Sequence, residues 1–179
     1  MECGSSAVNS GALCQRQQAA VLYTGRALIV GLGNPIRTDD AVGLVVARAV
    51  HARLARPDVE LCELAAGGLE LVERLAGYDH AVIVDAIQSE HGRVGECYRL
   101  DWECGRGSQR TGGTHEVGLL EGLELARRLG FQTPEAVRVY VVEVADPYTF
   151  GMEMTAEVRA AVPAAVERII ATEFRGMNS

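Results

Sequence analysis

The stretch Gly31-Leu32-Gly33-Asn34-Pro35-Ile36-Arg37-Thr38-Asp39-Asp40 decides the fold expected of this chain. It follows the apolar run 27–30, which is typical of a buried strand. It precedes a segment in which apolar residues recur at helical spacing. The sequence therefore predicts a strand, a tight turn and a helix, with two carboxylates where the helix begins. Open α/β sheets bind their ligands where strand ends face helix starts.

Composition narrows the class of protein. The 179 residues are 48% hydrophobic, which predicts one globular domain with its own core. We expect that domain at 26–174, between flexible tails at 1–25 and 175–179. The net charge of −7 argues against a nucleic-acid partner, and no apolar run approaches the roughly 20 residues that span a bilayer. The five cysteines form no CxxC pair and no secretory signal precedes them, so we expect reduced thiols and a cytoplasmic protein.

The rest of the chain repeats the alternation of strand and helix. Further strands are predicted at 59–64, 81–85, 96–100 and 137–144, and the strand at 96–100 is weaker and typical of a sheet edge. Helices are predicted between them, and Thr155 should cap a last helix that Pro163 kinks or restarts. This alternation predicts an α/β fold, a single three-layer αβα domain with a mostly parallel, twisted sheet of roughly five strands.

Aspartates occur in two places that follow or end a predicted strand. Asp39 and Asp40 would complement the dipole of the following helix, and at most one of this adjacent pair is expected to face the strand ends. Asp85 ends the most hydrophobic run of the chain. It could cap a turn, but in this fold its position opens onto the ligand crevice, so we assign it a functional role.

A histidine completes the candidate set. His115 follows a glycine-rich loop at 101–114 and begins a helix, although it could also be a surface residue of the first helical turn. His91, a few residues after Asp85, is its main rival. Two carboxylates and an imidazole suit a borderline divalent ion such as nickel or zinc, or equally a carboxylate base beside an acid. A GxSxG elbow is absent, and the GLGN turn lacks the third glycine of a dinucleotide site.

These residues, taken in order, resemble the hydrogenase maturation endopeptidases, which process the large subunit of nickel-iron hydrogenases. The resemblance spans roughly residues 26–172. It rests on the following segments: Gly31-Leu32-Gly33-Asn34, Asp39-Asp40-Ala41-Val42-Gly43, Gly67-Gly68 before Leu69-Glu70-Leu71, Val84-Asp85-Ala86, His115 with Gly118-Leu119, and the strand and loop at 139–154.

The resemblance implies an endopeptidase that removes a C-terminal extension from the nickel-loaded precursor of the large subunit. Asp40, Asp85 and His115 match the family residues that contact the nickel, so all three are the expected catalytic and metal-contacting residues. The nickel belongs to the substrate, and we expect no resident cofactor. The expected partner is the precursor, without nucleic acid or membrane.

Two alternatives remain open from the sequence. GLGNP also opens peptidyl-tRNA hydrolases, but those continue into an Arg-His-Asn segment, whereas Arg37, Thr38, Asp39 and Asp40 follow here. A non-catalytic nickel-sensing maturation factor would carry the same three donors.

Overall fold

A computed structural model of the chain describes residues 25–65, 67–100 and 122–175. The predicted N-terminal tail, apart from Gly25, and His115 lie outside these residues. The strands are β1 (Ala27–Leu32), β2 (Val59–Leu64), β3 (His80–Ile87), β4 (Cys97–Leu100) and β5 (Ala136–Glu143). The helices are α1 (Val42–Leu54), α2 (Leu69–Leu75), α3 (122–128) and α4 (Ala156–Glu173), and a short 3-10 helix, Asp39–Ala41, precedes α1.

The five strands form one sheet in the order β2-β1-β3-β5-β4. All neighbours are parallel except β4, which pairs antiparallel with β5 at the edge of the sheet. The predicted α/β fold with a mostly parallel five-stranded sheet is therefore confirmed, including the edge position of the weaker strand.

Side chains alternate between the two faces of the sheet and give each helical layer its own core. Ile29, Val82 and Tyr140 face α1 and α4. Leu28 and Ile83 face α2 and α3. Because the central strands are covered by helices on both faces, their sequences are continuous apolar runs. Each fully buried Leu, Ile or Val side chain contributes about 1.5–3 kcal/mol relative to an exposed one.

Two boundaries differ from the prediction. Strand β3 does not end at Asp85 but continues to Ile87, because β5 keeps pairing with it as far as Glu143. Helix α4 is not restarted at Pro163, which was one of the two outcomes predicted there, but continues through it to Glu173. Among the described helices, none is both long enough and apolar enough to cross a membrane.

Candidate active site

The candidate site lies at the carboxyl ends of β1 and β3. These two strands are parallel neighbours. After β1 the chain crosses to β2 on one side, whereas after β3 it proceeds towards β4 and β5 on the other. Connections that diverge in this way leave a crevice between the two strand ends, which is where such sheets bind ligands. Asp40 follows β1 and Asp85 lies near the end of β3, so both border this crevice.

Glycines allow the start of α1 to lie directly against the strand ends. A Cβ atom on Gly43 would collide with the carbonyl oxygen of Leu32 and would lie 2.6 Å from that of Val84. It would also lie 3.2 Å from the Cα atom of Asp85. The backbone at the beginning of α1 therefore touches the backbone of β3 at Asp85. This contact places the turn that carries Asp40 beside Asp85.

The turn before Asp40 also requires a glycine. Gly33 has φ +141°, and a Cβ atom there would collide with the backbone oxygen of Asp40. Asn34 donates its backbone N–H to Oδ2 of Asp40 at 2.8 Å. The other carboxylate oxygen of Asp40, Oδ1, accepts no hydrogen bond from any described residue, and the residue is half-buried. Within the described part of the chain, Asp40 is thus held through one carboxylate oxygen only.

Asp85 occupies a strand position, where it pairs with Val141 in the register of β3 and β5. Its Oδ1 accepts the backbone N–H of Ala86 at 2.8 Å, and the residue is half-buried. Side chains alternate along β3, so Asp85 lies on the side of the sheet that carries Ile83 and α2, whereas α1 lies on the other side. Asp85 therefore lies on the face of the sheet opposite to α1, the helix that follows the turn of Asp40.

The histidine of the predicted set cannot be placed beside them. His115 lies outside the described residues, and its assignment stays a prediction. Its rival His91 is exposed in the turn after β3. His51 lies with Nε2 3.1 Å from the carbonyl oxygen of Val59, and this contact gives it a structural role. Among the described residues, no three acidic, histidine or cysteine side chains are grouped closely enough to hold a metal ion.

Asp39 has a role that the sequence did not reveal. It begins the 3-10 helix, as expected, but its side chain is fully buried and does more than complement the helix dipole. Its carboxylate accepts the backbone N–H groups of Ala145 (3.3 Å), Asp146 (3.0 Å) and Thr155 (2.7 Å). The hydroxyl of Thr155 donates a fourth bond at 3.1 Å. A buried carboxylate needs such donors, so Asp39 joins the β1–α1 turn to the β5–α4 loop.

This arrangement also corrects the predicted cap of α4. Thr155 occupies the N-cap position, but its side chain makes no capping bond with its own helix. It donates to Asp39 instead, and Asp39 accepts the orphan N–H of Thr155 from 116 residues away. Thr38 likewise turns away from its own helix and donates its hydroxyl to the carbonyl oxygen of Asp146. We call Asp39 with residues 145–155 the clamp.

A second buried carboxylate was also missed. Glu143, at the end of β5, is 1% exposed and accepts the backbone N–H of Ser89 and the hydroxyl of Tyr98 at 3.1 Å. A Cβ atom on Gly92 would collide with this carboxylate. Glu143 therefore holds the loop after β3 against β5. The sequence offered one indication of this role: Glu143, like Asp85, lies near the end of an apolar strand.

The described thiols are poor nucleophiles. Cys62 lies in β2 and Cys97 begins β4, as their strand-like surroundings predicted, and both are free. Burial raises the pKa of Cys97 to about 11 and also raises the pKa of Cys62. Since the thiolate is the reactive form, neither is suited to nucleophilic catalysis at neutral pH.

The comparisons with known proteins agree with this architecture. The family described as HycI, hydrogenase maturation protease, matches residues 44–172. The hydrogenase 2 maturation protease of Escherichia coli K12 is 31% identical over 149 residues, covering 82% of this chain and 89% of that protein. The HupD hydrogenase expression/formation protein of Rhizobium leguminosarum is 27% identical, covering 81% of this chain and 72% of that protein.

Solved structures show the same relationship. The maturating endopeptidase HybD of E. coli has a TM-score of 0.66 at 28% identity, covering 82% of this chain and 90% of that one. The [NiFe] hydrogenase maturation protease HybD of Thermococcus kodakarensis has a TM-score of 0.59 at 27% identity, covering 80% and 95%. The family match, the sequence identity and the shared fold together show that the chain belongs to the hydrogenase maturation proteases and is a hydrolase.

Proposed function

We propose that this protease removes a C-terminal extension from the precursor of a nickel-iron hydrogenase large subunit after nickel has been inserted. Asp40, Asp85 and His115 contact the nickel that the precursor carries. The metal is part of the substrate, and the protease holds none of its own. The precursor is the partner, and the reaction takes place in the cytoplasm, where the free thiols of Cys62 and Cys97 stay reduced.

The observation that carries this proposal is the contact between the start of α1 and β3 at Asp85. This backbone contact supports a site shared by two half-buried carboxylates, as does Oδ1 of Asp40, which accepts no hydrogen bond from a described residue. Carboxylate oxygens and an imidazole nitrogen bind borderline divalent ions but form an open site when only three are present. Such a site favours a metal that arrives with its other ligands.

The chemistry at this crevice is hydrolysis of a peptide bond. Nickel held by the precursor would polarise the scissile carbonyl, or a carboxylate would take a proton from the attacking water. In either case Asp40 and Asp85 orient the metal-bearing segment, and the clamp keeps the turn of Asp40 rigid. Cleavage would then depend on metal loading, because a precursor without nickel offers these residues nothing to bind.

The test is cleavage of purified precursor by the full chain, with mass spectrometry of the large subunit as the readout. Nickel-loaded precursor should lose its C-terminal extension, and nickel-free precursor should remain intact. The Asp85→Asn variant, which keeps the size of the side chain, should leave the loaded precursor uncleaved. Equal cleavage of loaded and nickel-free precursor would overturn the proposed role of nickel. No cleavage of either by the wild type would overturn the proposed reaction.

The two alternatives have less support. A peptidyl-tRNA hydrolase is not favoured by relatives that are named as hydrogenase maturation proteases. A non-catalytic nickel-sensing factor is not favoured by membership in a protease family. The mass-loss experiment separates the second alternative directly, because a sensor would bind the loaded precursor without shortening it.

A further inference from the structure

Four large apolar side chains are exposed beside the Asp40 turn. They come from two segments, one before the 3-10 helix and one in the clamp loop. The four residues, which we call the rim, are Ile36, Tyr148, Phe150 and Met152. Phe150 is 70% and Met152 85% exposed. Exposed apolar groups that lie together, rather than singly, mark interaction surfaces.

The backbone beneath the rim is held in place. The two segments pair antiparallel at Arg37 and Phe150. Thr38 donates its N–H to the carbonyl oxygen of Thr149 at 3.0 Å, and Gly151 donates to that of Ile36 at 3.0 Å. The clamp anchors the same segments through Asp39. Because this backbone is already ordered, a partner would lose little free energy in ordering it on binding.

Arg37 adds a cation to the rim. Its guanidinium lies 5.9 Å from the centre of the Phe150 ring, and its side chain donates no hydrogen bond to a described residue. Arginine and aromatic side chains are enriched among the residues that dominate binding energies at protein interfaces. The rim thus combines aromatic, apolar and guanidinium groups on one rigid surface.

The rim is continuous with the candidate site. Asn34, whose backbone N–H binds Asp40, also accepts the backbone N–H of Ile36 through Oδ1 at 3.1 Å. A nickel ion that is still held by a folded precursor can reach Asp40 only if the protein surface around that ion covers the neighbouring residues. Those neighbours are the rim.

We propose that the rim is the docking surface for the hydrogenase large-subunit precursor, and that it binds the folded surface around the precursor's nickel site. This inference rests on the proposed function. The rim supplies binding energy to the whole precursor, whereas Asp40 and Asp85 act on its metal. Loss of the rim therefore weakens binding without removing the chemistry.

The chain offers a matched control at the opposite edge of the sheet. Phe131 is 59% exposed and follows α3. It lies near the amino-terminal edge of the strands, because Gln132 next to it accepts the N–H of Gly77, just before β3 begins. With Leu125 and Leu129, it lines an apolar groove of about 380 Å³ between α2 and α3. Phe131→Ala removes the same side chain as Phe150→Ala but leaves the rim intact.

The experiment compares steady-state cleavage of nickel-loaded precursor by the wild type, the Phe150→Ala/Met152→Ala variant and the Phe131→Ala variant. The rim variant should raise KM at least tenfold and change kcat less than twofold, whereas Phe131→Ala should change both less than twofold. Thermal unfolding of each variant checks that it is folded.

The outcomes distinguish this inference from the proposed function. If the wild type cleaves the precursor but the rim variant has an unchanged KM, the rim is not the docking surface and the proposed function stands. If the wild type does not cleave the precursor, the proposed function fails first. If sedimentation shows that the rim variant loses a dimer that the wild type forms, with KM unchanged, the rim binds a second copy of this chain and the inference is overturned.

Discussion

The clamp and the open edge of the crevice use neighbouring carboxylates in opposite ways. Asp39 in the clamp is fully buried and accepts four hydrogen bonds from the β5–α4 loop and Thr155. Asp40 at the edge is half-buried and accepts one, from Asn34. A carboxylate whose acceptor capacity is used within the fold contributes to stability, whereas one with an unused oxygen can bind a ligand. Adjacent identical residues can therefore serve different purposes.

The largest expected effect on stability comes from removing the clamp's carboxylate. Asp39→Ala leaves three backbone N–H groups and one hydroxyl without their acceptor, and each buried unsatisfied group costs about 1–3 kcal/mol. We expect the free energy of unfolding to fall by at least about 3 kcal/mol, measured by urea denaturation. A loss below about 1 kcal/mol would mean that the clamp does not hold the two segments together.

The next effect comes from the close contact between the start of α1 and the strands β1 and β3. Gly43→Ala places a methyl group against the carbonyl oxygens of Leu32 and Val84, so α1 must move away from the strands. Overpacking of this kind costs about 1–3 kcal/mol. Cleavage of loaded precursor should fall as well, because the turn of Asp40 moves away from Asp85. Wild-type stability and cleavage in Gly43→Ala would show that this close approach of α1 to the strands is not required.

A smaller effect is expected from one clamp bond. Thr155→Ser keeps the hydroxyl that donates to Asp39, whereas Thr155→Ala removes it and leaves the backbone bond. Hydrogen bonds to charged groups contribute about 1.5–3 kcal/mol, but three backbone N–H groups still donate to Asp39 in the alanine variant. We therefore expect its free energy of unfolding to fall by about 1 kcal/mol. Urea denaturation of both variants gives the comparison. Equal stability of the two variants would show that the hydroxyl contributes nothing.

The smallest effect is a pH dependence of the clamp. The side chain and N–H of Thr149 lower the pKa of Asp146 below its usual value, and the N–H of Tyr148 assists. A lowered pKa means that the folded state favours the carboxylate. Its contribution is therefore present above the unfolded-state pKa of about 4 and is lost as the pH falls through the folded-state value. Urea denaturation between pH 3 and 6 should show a shallower loss of stability for Asp146→Asn than for the wild type.

Local patterns predicted most of the fold. Continuous apolar runs at residues 27–30 and 81–84 identified buried parallel strands, and the rules of parallel sheets then placed Asp40 and Asp85 at one edge. The end of β3 was missed because its last residues are set by pairing with β5, far along the chain. Asp39 was missed for the same reason, since its hydrogen-bond partners lie 106 to 116 residues away.

One measurement tests the division between the clamp and the open edge most directly. It compares Asp40→Ala and Asp39→Asn for stability and for turnover of saturating nickel-loaded precursor per folded molecule. We predict that Asp40→Ala loses about 1–2 kcal/mol, because it loses one part-buried hydrogen bond to a carboxylate. It should be at least a hundredfold slower, because it also loses the proposed metal contact. Asp39→Asn should be much less stable than the wild type, but its turnover per folded molecule should stay within about fivefold of the wild-type value. A fivefold change corresponds to about 1 kcal/mol in the activation free energy. Normal turnover by Asp40→Ala, with Asp39→Asn stable but inactive, would contradict this account.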